Sequence, residues 1–141
     1  IAEKGAGGAF DADHGADRFF MRPDLAVLTN NPEVLEAFPG SEWIEGLPGE
    51  VARKARDRVH AGWRLAAHPL AGSVRLLRSP YRSLVLAQDR RPADARHVQM
   101  IEEAVARLES RELLDRSPEN AGDYRLLDLD LLRRVLESLG D

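Results

Sequence analysis

The side chains in this sequence that could carry chemistry fall in two stretches. One runs His68-Pro69-Leu70-Ala71-Gly72-Ser73 and continues to Ser79-Pro80-Tyr81-Arg82; the other is Thr29-Asn30-Asn31. A histidine before proline is held extended, which sets the direction of its ring. Its imidazole titrates near neutrality, so His68 is a candidate acid or base, or a hydrogen-bonding partner for a carboxylate or phosphate. Gly72 and Ser73 can offer backbone N–H groups and a hydroxyl to an anion, with Arg75, Arg78 and Arg82 close in sequence. Asn31 precedes Pro32 at a predicted helix start, where unpaired N–H groups favour an anion. Each residue also has a plainer use: His68 can tie down its own loop, and Asn31 can simply cap its helix. Asn30 is harder to dismiss, since one cap suffices. The candidate ligand-binding set is Asn30, Asn31, His68, Gly72, Ser73, Tyr81 and Arg82, with His68 the one catalytic candidate.

A serine nucleophile at Ser73 would need a base and an orienting acid. His68 is five residues away, but nothing marks the third member, and no Gly-x-Ser-x-Gly elbow occurs. Neither a Gly-Lys-Ser/Thr phosphate loop nor a Gly-x-Gly-x-x-Gly fingerprint is present, and Gly5-Ala6-Gly7-Gly8 follows no predicted strand. No metal-ligand spacing appears; His14 among Asp11, Asp13 and Asp17 matches no standard site. Cysteine is absent, which removes thiolate metal sites and cysteine nucleophiles. The sequence thus calls for no cofactor and no metal.

The elements that must position these residues are strands alternating with helices. Leu25–Leu28 is a short apolar run suited to a buried strand, and Asn31-Pro32 opens a helix to about Phe38. Glu42–Glu45 alternates as a second strand, and Pro48 starts a helix with Val51, Ala55 and Val59 on one face and Gly62 at its end. Arg64–Ala67 is a third strand ending at His68, and Ser83–Ala87 is the clearest of all. Asp94–Glu109 carries Val98, Ile101, Val105 and Leu108 at helical spacing. Tyr124–Leu127 reads as a further strand, followed by a helix from about Asp130. The alternation predicts an α/β, three-layer sandwich with a mainly parallel four- to five-stranded sheet. Ligands of such sheets gather at the carboxyl ends of the strands, where both candidate loops fall.

At 141 residues the chain suits one domain, assigned to residues 23–141. Residues 1–22, rich in Gly, Ala and Asp without a period, are read as an extension, disordered or non-native. No apolar run spans a bilayer and no secretory signal is visible, so the expectation is a cytoplasmic protein without a membrane partner. Between Glu50 and Arg91 ten Lys/Arg stand against three Asp/Glu, while the rest of the chain holds ten against 21, for a net charge of −4. That basic middle suits an anionic ligand or acidic partner; equally, its arginines can pair with carboxylates elsewhere in the fold. Arg53, Lys54, Arg56 and Arg58 cluster on one helix, but 6% aromatics and no reading motif argue against a specific nucleic-acid binder.

In combination, four segments resemble the GrdX family: Leu28-Thr29-Asn30-Asn31-Pro32, Arg56–Gly62, His68–Ser73 and Ser79-Pro80-Tyr81-Arg82-Ser83. Asp123–Asp128 is similar to that family's carboxyl-terminal segment, and the resemblance runs from about Leu25 to Leu132. Leu76-Leu77-Arg78 departs from it, since a proline and polar residues are expected there. The resemblance implies association with glycine, sarcosine or betaine reductase systems of amino-acid-fermenting anaerobes, in a role other than their selenium- or thiol-bearing catalytic subunits. Three functions follow. One is an accessory protein binding reductase subunits or a small anion. Another is a small enzyme on a carboxylate or phosphate, with His68 acting beside Ser73 or Tyr81; it expects Asn30, His68, Ser73 and Tyr81 in one pocket. The third is a regulatory module that senses an anion without turnover. Assembly with further copies of the chain is compatible with all three.

Overall fold

A strand with a continuous apolar run must be covered on both faces, and Ser83–Ala87, with Leu84-Val85-Leu86 at its centre, is such a strand. The computed structural model describes residues 23–72, 74–88 and 92–140. The extension expected over residues 1–22 lies outside them, and so does Ser73. In chain order the elements are β1 (Leu25–Thr29), α1 (Pro32–Ala37), β2 (Glu42–Trp43), α2 (Pro48–His60), β3 (Arg64–Leu65), a 3₁₀ turn (Val74–Arg78), β4 (Ser83–Ala87), α3 (Ala95–Glu109) and α4 (Pro118–Gly140). The strands form one sheet in the order β2-β1-β4-β3.

The α/β class is as expected, but the sheet is mixed. β1 pairs with β2 in parallel, whereas β4 runs antiparallel to both of its neighbours, β1 and β3. The cause is the link between β3 and β4. A parallel return needs a crossover, usually a helix; the described residues between 66 and 82 hold only the 3₁₀ turn and leave the chain at the same end of the sheet. The carboxyl ends of β1, β2 and β3 therefore share an edge with the amino end of β4.

The second correction concerns Tyr124–Leu127, which is helix and not strand. It lies within α4, whose buried residues Tyr124, Asp128, Leu132 and Leu136 recur every four positions, with Leu129 beside them. β2 and β3 are also shorter than their expected four residues.

Register fixes what each face meets. Leu28 opposes Leu84 and Ala26 opposes Leu86; this row packs with Val51, Ala55 and Val59 of α2 and Ile101 and Ala104 of α3. Val27 opposes Val85 on the other face, packing with Val34 of α1 and Leu129, Leu132 and Leu136 of α4. Among the described residues, no helix is long and apolar enough to cross a membrane.

Leu86 is fully buried at the centre of the sheet. Leu86→Ala is expected to lower stability by about 2–5 kcal/mol in urea denaturation, the cost of an unfilled core site.

Candidate functional site

The row Leu25, Val27, Thr29 on β1 faces α4, and its last residue opposes Ser83 of β4. The apolar face thus ends in two hydroxyls, and α4 sets Asp128 against them. Asp128, only 6% exposed, accepts from Ser83 N (3.0 Å) on Oδ1 and from Ser83 Oγ (2.7 Å) and Asn31 Nδ2 (3.0 Å) on Oδ2. Because Ser83 gives its one hydroxyl proton to Asp128, the 2.7 Å contact with Thr29 Oγ1 must be donated by Thr29. Thr29 Oγ1 in turn accepts from Asn31 N at 3.0 Å. Burial raises the Asp128 pKa above the ordinary carboxylate value; the donors from Asn31 and Ser83 and the charge of Arg82 oppose it.

Asn31 is spent in this network. Its Oδ1 accepts from Glu33 N and caps α1, while Nδ2 also donates to Arg125 O at 2.9 Å. Asn30 works on the loops. Its Nδ2 donates to Gly46 O and Pro80 O, both at 2.9 Å, and its Oδ1 accepts from Arg82 N at 2.8 Å. One amide side chain thereby clamps the segment after β2 to the segment before β4.

Arg82 is turned inward. Its guanidinium donates to the carbonyls of Pro69 (3.2 Å), Ala71 (3.4 Å) and Leu76 (3.0 Å) and so holds the loop after β3; Nε is buried without an acceptor among the described residues. Burial lowers its pKa, against the pull of the Asp128 charge. His68 is exposed, and its Nδ1 accepts from Leu70 N at 3.0 Å, bracing its own loop. Gly72 has a conformational reason to be glycine: its φ is +109°, and a Cβ there would lie 2.4 Å from Leu76 Cδ1.

Among the described residues, the candidates line two different cavities. His68 and Arg82 line a cavity of about 20 Å³ with Leu131 and Val135 of α4, room for little more than a water. Tyr81 lines a separate cleft of about 250 Å³, between Gly46-Leu47, Pro80, the segment Asp115-Arg116-Ser117 that leads into α4, and Ala121 in its first turn. His68 and Tyr81 thus line different cavities among the described residues, and Ser73 lies outside those residues. Asn30 stands behind the cleft, since Gly46 and Pro80, which it clamps, are two of its walls.

The cleft has its own supporting contacts. Asp115 accepts from Ser117 N and Oγ, Asn120 Nδ2 and Tyr124 Oη, and these donors, Ser117 first, hold its pKa well below the usual carboxylate range. Arg125 ion-pairs with Glu33 at 2.9 Å, donates to Tyr81 Oη at 3.2 Å and stacks over that ring at 5.6 Å; these contacts raise its pKa. Asp115, Arg116 and Arg125 are not among the candidates of the sequence, which reads Tyr124–Leu127 as a strand.

Four arginines of the basic middle are paired with carboxylates. Arg53 pairs with Glu50 and Glu109, Arg56 with Glu102, Arg58 with Glu42 and Arg64 with Asp94. A larger groove of about 540 Å³ beside β2 and α2 is lined by several of these paired groups, including Glu42, Glu50 and Arg53. Among the described residues, no group of His, Asp or Glu is placed to hold a metal ion.

Fold and site together define an α/β protein with a mixed four-stranded sheet and a loop-built cleft at one end of it. The GrdX-like protein family model matches residues 26–137, and the chain belongs to that family. No curated protein and no solved structure matches it.

Asp128→Asn replaces one acceptor oxygen by an N–H that faces a donor of Asn31 or Ser83, and is expected to cost about 1–3 kcal/mol. The folded-state pKa of Asp128 is raised, so its contribution is full below the unfolded carboxylate value and declines as pH rises through the folded one. The parent's margin over Asp128→Asn should shrink as pH rises above about 4 in urea denaturation; a margin that widens would contradict the assignment.

Proposed function

We propose that this chain is a cytoplasmic accessory protein of glycine, sarcosine or betaine reductase systems, acting by binding rather than by turnover. Membership of the GrdX-like family supplies the setting. The observation that carries the binding reading is the cleft clamped by Asn30. Two loops and a helix start meet there, and Asn30 is engaged in holding those loops together. A cleft of about 250 Å³ lies just below the size usual for drug-sized ligands. It suits a ligand of a few heavy atoms or a single side chain of a protein partner.

The test is capture of the chain by purified, immobilised subunits of each reductase, together with thermal shift in glycine, sarcosine and betaine. Binding to at least one subunit or ligand is expected, weakened about tenfold by Asn30→Ala through loss of the clamp. No capture by any subunit and no shift with any ligand would overturn the proposal.

A further inference from the structure

We propose that the cleft beside Tyr81 is an oxyanion site, read by the Tyr81 hydroxyl and the Arg116 guanidinium. The inference rests on the cleft being the binding site, and it names the class of ligand.

The argument is an accounting of donors and acceptors. Gly46 O and Pro80 O both accept from Asn30 Nδ2. Each Asp115 oxygen accepts two hydrogen bonds, Oδ1 from Ser117 N and Oγ, Oδ2 from Asn120 and Tyr124. Ser117 Oγ gives its proton to Asp115 and accepts from Asn120. These acceptors are engaged, so a guest that brings only donors finds little here.

Two donors stand open. Tyr81 Oη accepts from Arg125 Nη1, which leaves the phenol proton without an acceptor among the described residues. Arg125 stacks on the same ring, and a cation beside a phenol strengthens the hydrogen bond that the phenol donates. Arg116 lines the cleft, and its guanidinium has no partner among the described residues, unlike the ion-paired arginines of α2. A phenol proton and a guanidinium fork suit the oxygens of one carboxylate or phosphate. The negative charge of Asp115 sits within its own four donors at the start of α4, where the helix end also offsets it.

Carboxylate and phosphate share this chemistry, and separate titrations distinguish them. Calorimetric or NMR titration with sodium acetate and with inorganic phosphate, at constant ionic strength, would use the full chain, Arg116→Gln and Tyr81→Phe. Tetramethylammonium chloride is the cationic control. Arg116 is exposed, and Tyr81→Phe keeps the ring under Arg125; unchanged melting temperatures would show both variants folded. Saturable binding of one anion is expected, weakened about tenfold by Arg116→Gln and severalfold by Tyr81→Phe. No saturable binding of either anion, equal affinity in the variants, or preference for tetramethylammonium would overturn the assignment. Reductase capture alone, equal in parent and variants, would also overturn it while leaving the accessory role standing. Anion binding lost with Arg116 would support it even where no subunit is captured.

Discussion

A carboxylate buried among apolar side chains is a constraint that the rest of a fold must satisfy. Asp128 is that group here. It sits in the stripe by which α4 packs on the sheet, four residues from both Tyr124 and Leu132. Desolvating a carboxylate costs several kcal/mol unless donors surround it. The donors come from three places: the main chain and hydroxyl of Ser83 at the start of β4, the amide of Asn31 at the start of α1, and Thr29 relayed through Ser83. Sliding α4 by one turn would leave the carboxylate unpaired and the hydroxyls facing leucines. The polar layer therefore sets the register between helix and sheet more sharply than the leucine contacts beyond it, which tolerate small shifts.

From that layer outward, polar residues act as braces. Asn30 follows the β1 strand that carries Thr29, and its amide joins the two neighbouring loops. Arg82 precedes Ser83, and its guanidinium gathers three carbonyls of the loop after β3. Side chains adjacent in sequence thus face opposite tasks: Thr29 and Ser83 toward α4, Asn30 and Arg82 toward the loops. Fixing α4 on the sheet and fixing the loops above it are parts of one structure, and the cleft is bounded by its outer surface.

Much of the fold was legible in the sequence where local pattern and tertiary role agree. β1 and β4 are apolar runs, Asn31 caps its helix as its position suggests, and α2 and α3 show helical spacing. Legibility failed at α4. Leu126 and Leu127, 56% and 39% exposed, filled in the solvent side of the helix and made Tyr124–Leu127 look like a continuous strand. Asp128 compounded this by placing a charge on the buried stripe. The mixed sheet could have been inferred, since no helix was predicted between β3 and β4. Asn30 and Tyr81 stand out by residue type, but whether His68 and Tyr81 meet depends on how the two loops fold, and spacing does not encode that.

The same reasoning explains why the most distinctive motif does not mark the cleft. His68-Pro69-Leu70-Ala71-Gly72 meets several local demands: an imidazole accepting from Leu70 N, carbonyls of Pro69 and Ala71 turned to a buried guanidinium, and a positive φ at Gly72 packed close to Leu76. A motif held by so many internal contacts is specific in sequence whether or not it touches a ligand. The cleft is bounded instead by residues with few such demands. Arg116 has no described partner and Tyr81 has one, so neither is fixed in type by the fold. Residue choice at such positions is free to follow a ligand, which is why uncommitted donors are a better guide to binding here than the motif that first drew notice.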